Sequence, residues 1–137
     1  MLLEDDRKRI LIADQNKDFL SDMQSILEFA GFQVETVEDG EEALDQVKKL
    51  QYDLLVLGVV VPRVNGIRLL QMVRTKKEYA EVPVIFITGS GNKRRAAHPR
   101  ESACNAEGHV CKSFKNKKFL KMVSALLDRK NDEAQYN

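Results

Sequence analysis

The period of the apolar positions changes several times along the chain, and each change marks an element. Residues 9–14 read RILIAD, a short β-branched run that predicts a buried strand and stops at polar Gln15, Asn16 and Lys17. From Asp18 onward, Phe19, Leu20, Met23, Ile26, Leu27 and Ala30 recur at the spacing of one helical face, and Gly31 follows where a left-handed cap is wanted. Residues 32–37 predict a second strand. Asp39 with Glu42 three positions later forms a helix-start signature, and that helix turns Ala43, Leu44, Val47 and Leu50 inward. The run DLLVL at 53–57 is continuously apolar after its first residue, as in a strand covered on both faces. A loop through Val61, Pro62, Arg63, Val64 and Asn65 leads at Gly66 into a helix with Ile67, Leu70 and Val73 inside, and VPVIFIT at 82–88 predicts strand four.

Residues 89–108 are harder to read, because Gly89, Gly91 and Pro99 interrupt any helical period; a short or distorted fourth helix is expected there. A brief strand at 109–111 precedes a last helix with Phe119, Leu120, Val123, Leu126 and Leu127 on one stripe. Strands alternating with helices imply right-handed crossovers and a parallel sheet. The expected fold class is therefore α/β, a flavodoxin-like doubly wound five-stranded parallel sheet of order 2-1-3-4-5 with helices on both faces. One domain spans 8–130, with flexible termini at 1–7 and 131–137. Ligands of such sheets bind at the carboxyl ends of the strands, which directs attention to Asp14, Gln15, Gly58, Thr88 and Lys112.

Composition narrows the picture. The 137 residues, 43% apolar and 31% charged, suit a single soluble domain, and within them no separate catalytic or output module is expected. No apolar run approaches the roughly 20 residues of a membrane span. The acids among the first residues argue against a secretion signal, so a cytoplasmic location is expected. Cys104 and Cys111 do not form a paired metal or redox spacing and read as buried or idle thiols.

The formal charge of +1 conceals a segregation. Residues 1–91 carry 11 basic and 16 acidic side chains, whereas residues 92–130 carry 11 basic against 3 acidic, a local net of +8. Such a one-sided field steers association with an acidic surface, the alternative being a merely solvated helical face.

An acid after strand one, a hydroxyl after strand four and a lysine after strand five resemble the receiver domain of two-component response regulators, the CheY-like fold. ILIADQNKDF is similar to the family's first strand with its acidic pair, YDLLVLGVVVPRVNGIRLL to its third strand and following Pro and Gly, VPVIFIT to its fourth strand with threonine, and CKSF to its lysine segment. The resemblance covers about 8–130. It implies phosphorelay chemistry, in which an aspartate at the end of strand three takes a phosphoryl group from a histidine kinase, with Mg²⁺, a threonine and a lysine offsetting the charge. Matched in this way, Asp14 is the first acid, Thr88 the hydroxyl and Lys112 the lysine. Gln15 stands for the second acid, Gly58 for the acceptor, and Ser113 for a proline whose preceding bond is typically cis, so a trans bond is expected here.

Glycine offers no carboxyl oxygen, so the usual acyl phosphate is excluded. Asp53, five strand residues away at about 3.3 Å each, lies roughly 16 Å off at the opposite edge of the sheet. No metal and no cofactor are expected, since Mg²⁺ wants carboxylates that this rim has lost. Asp14 and Lys112 are expected to form a partly buried ion pair as a structural remnant. His109 matches an aromatic switch position partnered with Thr88; a lone strand histidine is expected to be a polar tip, with a pH-sensing role the lesser alternative.

The favoured function is a degenerate, phosphorylation-independent receiver. No enzymatic activity is expected of it. It would bind an acidic protein partner, or itself, through the basic face of the fourth helix, fifth strand and last helix, with Lys93, Arg94, Arg95, Lys115, Lys117, Lys118 and Lys121 as contact residues. Two alternatives are phosphorylation at Asp14 and a flavin or phosphate site at Thr88-Gly89-Ser90-Gly91-Asn92. Nucleic-acid binding is disfavoured, because no reading motif accompanies the basic segment and aromatics are few.

Overall fold

The apolar runs become the central strands of one sheet in the computed structural model, which describes residues 7–89, 107–112 and 114–136, with side chains as far as Asp128. Strands β1 (Arg9–Ala13), β3 (Leu54–Gly58) and β4 (Val84–Thr88) are buried throughout except at Arg9. The flanking β2 (Gln33–Val37) alternates, and β5 (Gly108–Cys111) is largely half-buried. All pair in parallel in the order β2-β1-β3-β4-β5, as expected. Strand four begins at Val84 rather than Val82. Pro83 has no N–H to give a ladder, although its carbonyl accepts from the Leu55 amide at 3.1 Å.

Among the described residues, four α-helices cover the sheet: α1 (Lys17–Phe29), α2 (Gly40–Lys49), α3 (Gly66–Arg74) and α4 (Asn116–Tyr136). Because strand side chains alternate, Ile10, Ile12, Leu54, Val56, Ile85 and Ile87 share one face with Leu20, Met23 and Leu27 of α1 and Phe119, Val123 and Leu127 of α4. Leu11, Leu55, Leu57, Val84 and Phe86 share the other with Ala43 and Val47 of α2 and Leu69, Leu70 and Val73 of α3. Leu69 joins the buried face of α3, while Ile67 is only partly buried.

Each of the first three helices starts on a side-chain cap. Asn16 accepts from the Phe19 amide, Asp39 from Glu42 at 2.8 Å, and Asn65 from Arg68 at 2.9 Å. The α1 start therefore lies just ahead of the expected Asp18. Gly31 takes φ 102° after α1, the left-handed conformation its position requires. Helix α4 continues to Tyr136, past the apolar stripe and through most of the segment expected to be a frayed tail. The fourth helix expected within 89–108 falls on residues 90–106, outside the described residues, as do Cys104 and Ser113.

The amino edge of the sheet is tied by polar contacts. Tyr79 accepts the Tyr52 amide at 3.0 Å and donates to the Leu50 carbonyl. Arg74 donates to the Tyr79 and Val82 carbonyls and pairs with Glu107, which also accepts the Val84 amide. Asp53 accepts the Arg9 amide at 2.8 Å at this same edge, so it is structural and remote from the carboxyl rim.

Candidate functional site

The carboxyl rim is organised around one buried acid. Asp14 follows β1, and its amide donates to Val37, which keeps the chain in line with the sheet before it turns. Its side chain is 3% exposed. Oδ2 accepts from Lys112 Nζ at 2.8 Å and from the Asn16 amide at 2.9 Å. These are charge-assisted contacts, the strongest kind available to a carboxylate away from water.

Lys112 is restrained from three directions. Its amide donates to the Thr88 carbonyl at 2.8 Å, which continues the β4–β5 ladder by one residue. Its ammonium meets Asp14 and lies 4.8 Å from the Phe19 ring centroid, within cation–π range. The ion pair expected between Asp14 and Lys112 is thus formed. Phe19 is an additional member of the site: in sequence it reads only as one position of the α1 stripe, and nothing local announces its contact with Lys112.

Gly58 closes β3 beside this pair. A Cβ built on it would stand 2.5 Å from Asp14 Oδ1, with Ala13 O and Val61 Cγ2 each at 3.3 Å. The carboxylate of Asp14 therefore lies in the space that a side chain at position 58 would use. The same strand end is approached from the other side by Gly66, whose own Cβ would overlap the Gly58 carbonyl and whose amide donates to Val59 at 3.0 Å. The intervening loop turns at Arg63, which holds φ 73° and pairs with Asp39 at 3.4 Å.

Thr88 is 7% exposed, and its hydroxyl contacts the Val110 carbonyl at 3.4 Å, on the β5 side. His109 is half-buried with its ring tilted against Phe86, centroids 5.8 Å apart, and is not the exposed polar tip expected of a surface strand. Cys111 is a half-buried free thiol, 3.7 Å from the Thr88 hydroxyl. Gln15 is exposed at the rim. Lys115, Lys117, Lys118 and Lys121 are exposed along the start of α4, whereas Lys93, Arg94, Arg95 and most of the glycine-rich segment after Thr88 lie outside the described residues.

The donor set does not suit a resident Mg²⁺. Of the five matched positions only Asp14 carries a carboxylate; one of its oxygens is taken by an ammonium and an amide, and the other lies in the space a Cβ at position 58 would need. An octahedral cation would have to displace Lys112 to gain a single ligand. No group of three or more His, Cys, Asp or Glu that could hold a metal occurs among the described residues. No described helix is long and apolar enough to cross a membrane.

The family model for the response regulator receiver domain matches residues 10–124. The chain is 31% identical over 127 residues to the DNA-binding response regulator MtrA of Mycolicibacterium smegmatis, covering 93% of this chain and 54% of that protein. It is 32% identical over 130 residues to the transcriptional regulatory protein CpxR of Escherichia coli K12, covering 94% and 53%. The chain thus spans about half the length of these curated relatives. A crystal structure of a putative response regulator from Chloroflexus aurantiacus superposes with a TM-score of 0.82 at 25% identity, over 89% of this chain and 98% of that one.

Proposed function

The chain belongs to the response regulator receiver family of two-component signalling, and on that premise we propose that it is a degenerate member that works without aspartyl phosphorylation, by docking another protein. The observation that carries this reading is the position of the Asp14 carboxylate against Gly58 and Lys112. An acyl phosphate needs a carboxyl oxygen at the end of β3, and Gly58 has none. The anion that a phosphoryl group would bring to Lys112 is supplied internally by Asp14. With that need met, and with the Thr88 hydroxyl turned to β5, the free energy that phosphate would spend on recruiting Thr88 has no source.

Phosphorylation of Asp14 itself is the weaker reading. Its side chain is 3% exposed, and attack on a phosphodonor requires an oxygen that can be approached in line. The chain offers no reaction of its own on this reading; its output is contact, with the lysines at the start of α4 as the docking surface for an acidic partner.

Incubation with acetyl phosphate and Mg²⁺, or with beryllofluoride, tests the proposal through intact mass and amide chemical shifts. The expected result is an unchanged mass and an unchanged rim. Stoichiometric modification of Asp14 would overturn the reading.

A further inference from the structure

Among the described residues, the two edge strands of the sheet lead into helix starts of opposite charge. Along β2, Glu38, Glu41, Glu42 and Asp45 are exposed at the start of α2. Glu38 and Glu42 border a groove of about 270 Å³, shared with Lys17 and Gln24 of α1. Along β5, Lys115 and Lys118 border a larger groove of about 580 Å³ with Val110, Met122 and His109 in its wall. Lys117 and Lys121 extend this basic surface outward along α4.

These clusters cannot neutralise each other within one molecule. Strands β2 and β5 lie at opposite ends of a five-stranded sheet, four spacings of about 4.8 Å apart, and the helices outside them add to that. Roughly 19 Å is more than twice the screening length of about 8 Å at physiological salt. None of the four lysines has an ion-pair partner among the described residues. Both clusters begin helices that follow edge strands, so both sit at the carboxyl rim, at one height. A second copy shifted sideways by the width of the sheet would bring the acidic flank against the basic one.

The two helix starts also differ in cost. Glu41 and Glu42 favour the positive end of the α2 dipole, and their presence has a local reason. The first turn of α4 has no acid and carries Lys117 and Lys118 at its positive end, where cations are unfavourable. An external carboxylate cluster would relieve that repulsion.

We propose that the acidic β2–α2 flank of one copy docks on the basic β5–α4 flank of the next, forming a heterologous, head-to-tail row. This deepens the docking reading above, resting on it and naming the acidic partner as a second copy of this chain. A heterologous contact of this kind does not close at two copies. Because it is built on exposed charge, it weakens steeply as salt is raised.

Sedimentation velocity of the full chain, without acetyl phosphate, provides the test. The expected weight-average mass rises with concentration beyond that of a dimer at about 0.05 M salt and falls back toward the monomer at about 0.5 M. Lys115→Glu/Lys118→Glu cancels the net charge of the basic flank, leaving Lys117 and Lys121 against two new carboxylates. Glu38→Lys/Asp45→Lys cancels the net charge of the acidic flank while sparing the capping carboxylate of Glu42. Each variant alone should be monomeric, and an equimolar mixture should associate again, because each then supplies what the other lost. Circular dichroism of both variants confirms that they are folded. A wild type that stays monomeric at every concentration overturns the pairing, as does a dimer that persists in both variants or a mixture that fails to associate. None of these results bears on whether phosphate is accepted, which the mass measurement decides separately.

Discussion

Gly58 and Asp14 act as a matched pair. The glycine makes room for a carboxylate that is then pinned through its other oxygen by Lys112 and the Asn16 amide. Filling position 58 forces the pinned group to move. Gly58→Ala is expected to lower stability by about 1–3 kcal/mol, the usual range for overpacking a tight site. Gly58→Asp adds a second carboxylate beside the first and is expected to cost more. Urea denaturation of the two variants checks this, and a neutral Gly58→Ala would mean that Asp14 is held less firmly than its contacts imply. The glycine at the end of β3 is legible in the sequence because it is a property of one position. The occupation of its space by Asp14 and the stacking of Lys112 over Phe19 are not, since both join residues distant in the chain and depend on how α1 and β5 meet.

Helix starts show which local signals survive into the fold. Asp39 with Glu42 reads as a cap and is one, with Glu42 also accepting the Glu38 amide. Asn16 and Asn65 cap in the same way without the second residue of the signature, and so pass unremarked in the sequence. Helix α4 is the contrary case, with cations in its first turn. Lys117→Glu is expected to stabilise the isolated chain by about 0.3–1 kcal/mol by reversing a charge against the dipole, as seen in a raised thermal midpoint at low salt. A lowered midpoint would show that the lysine is already compensated within its own chain. Apolar spacing correctly marks Phe119, Val123 and Leu127 as the buried stripe of α4, because burial on a helix follows directly from period.

The two ends of the sheet divide the work. The amino edge is fastened by Tyr52, Tyr79, Arg74 and Glu107, a set invisible to periodicity because its members come from different connections. Burial disfavours the phenolate of Tyr52 and pushes its pKa from 10.0 up to about 12, with the Glu35 charge adding to the effect. Burial raises Tyr79 as well. The folded state therefore holds these protons more tightly than the unfolded chain. The associated stability is fully present below about pH 10 and is lost as pH climbs through about 12. Denaturation midpoints measured together with tyrosinate absorbance should fall across that window; phenols of Tyr52 and Tyr79 that ionise near pH 10 in a chain still folded would contradict the packing.

The carboxyl rim, by contrast, is where the proposed signalling contact lies, and on that reading the Asp14–Lys112 bridge stands in for a phosphoryl group. An acyl phosphate hydrolyses and so carries its own clock, whereas two side chains joined by charge never expire. On the proposed reading the duration of any message is then governed by how much of this polypeptide is made and how quickly it is cleared.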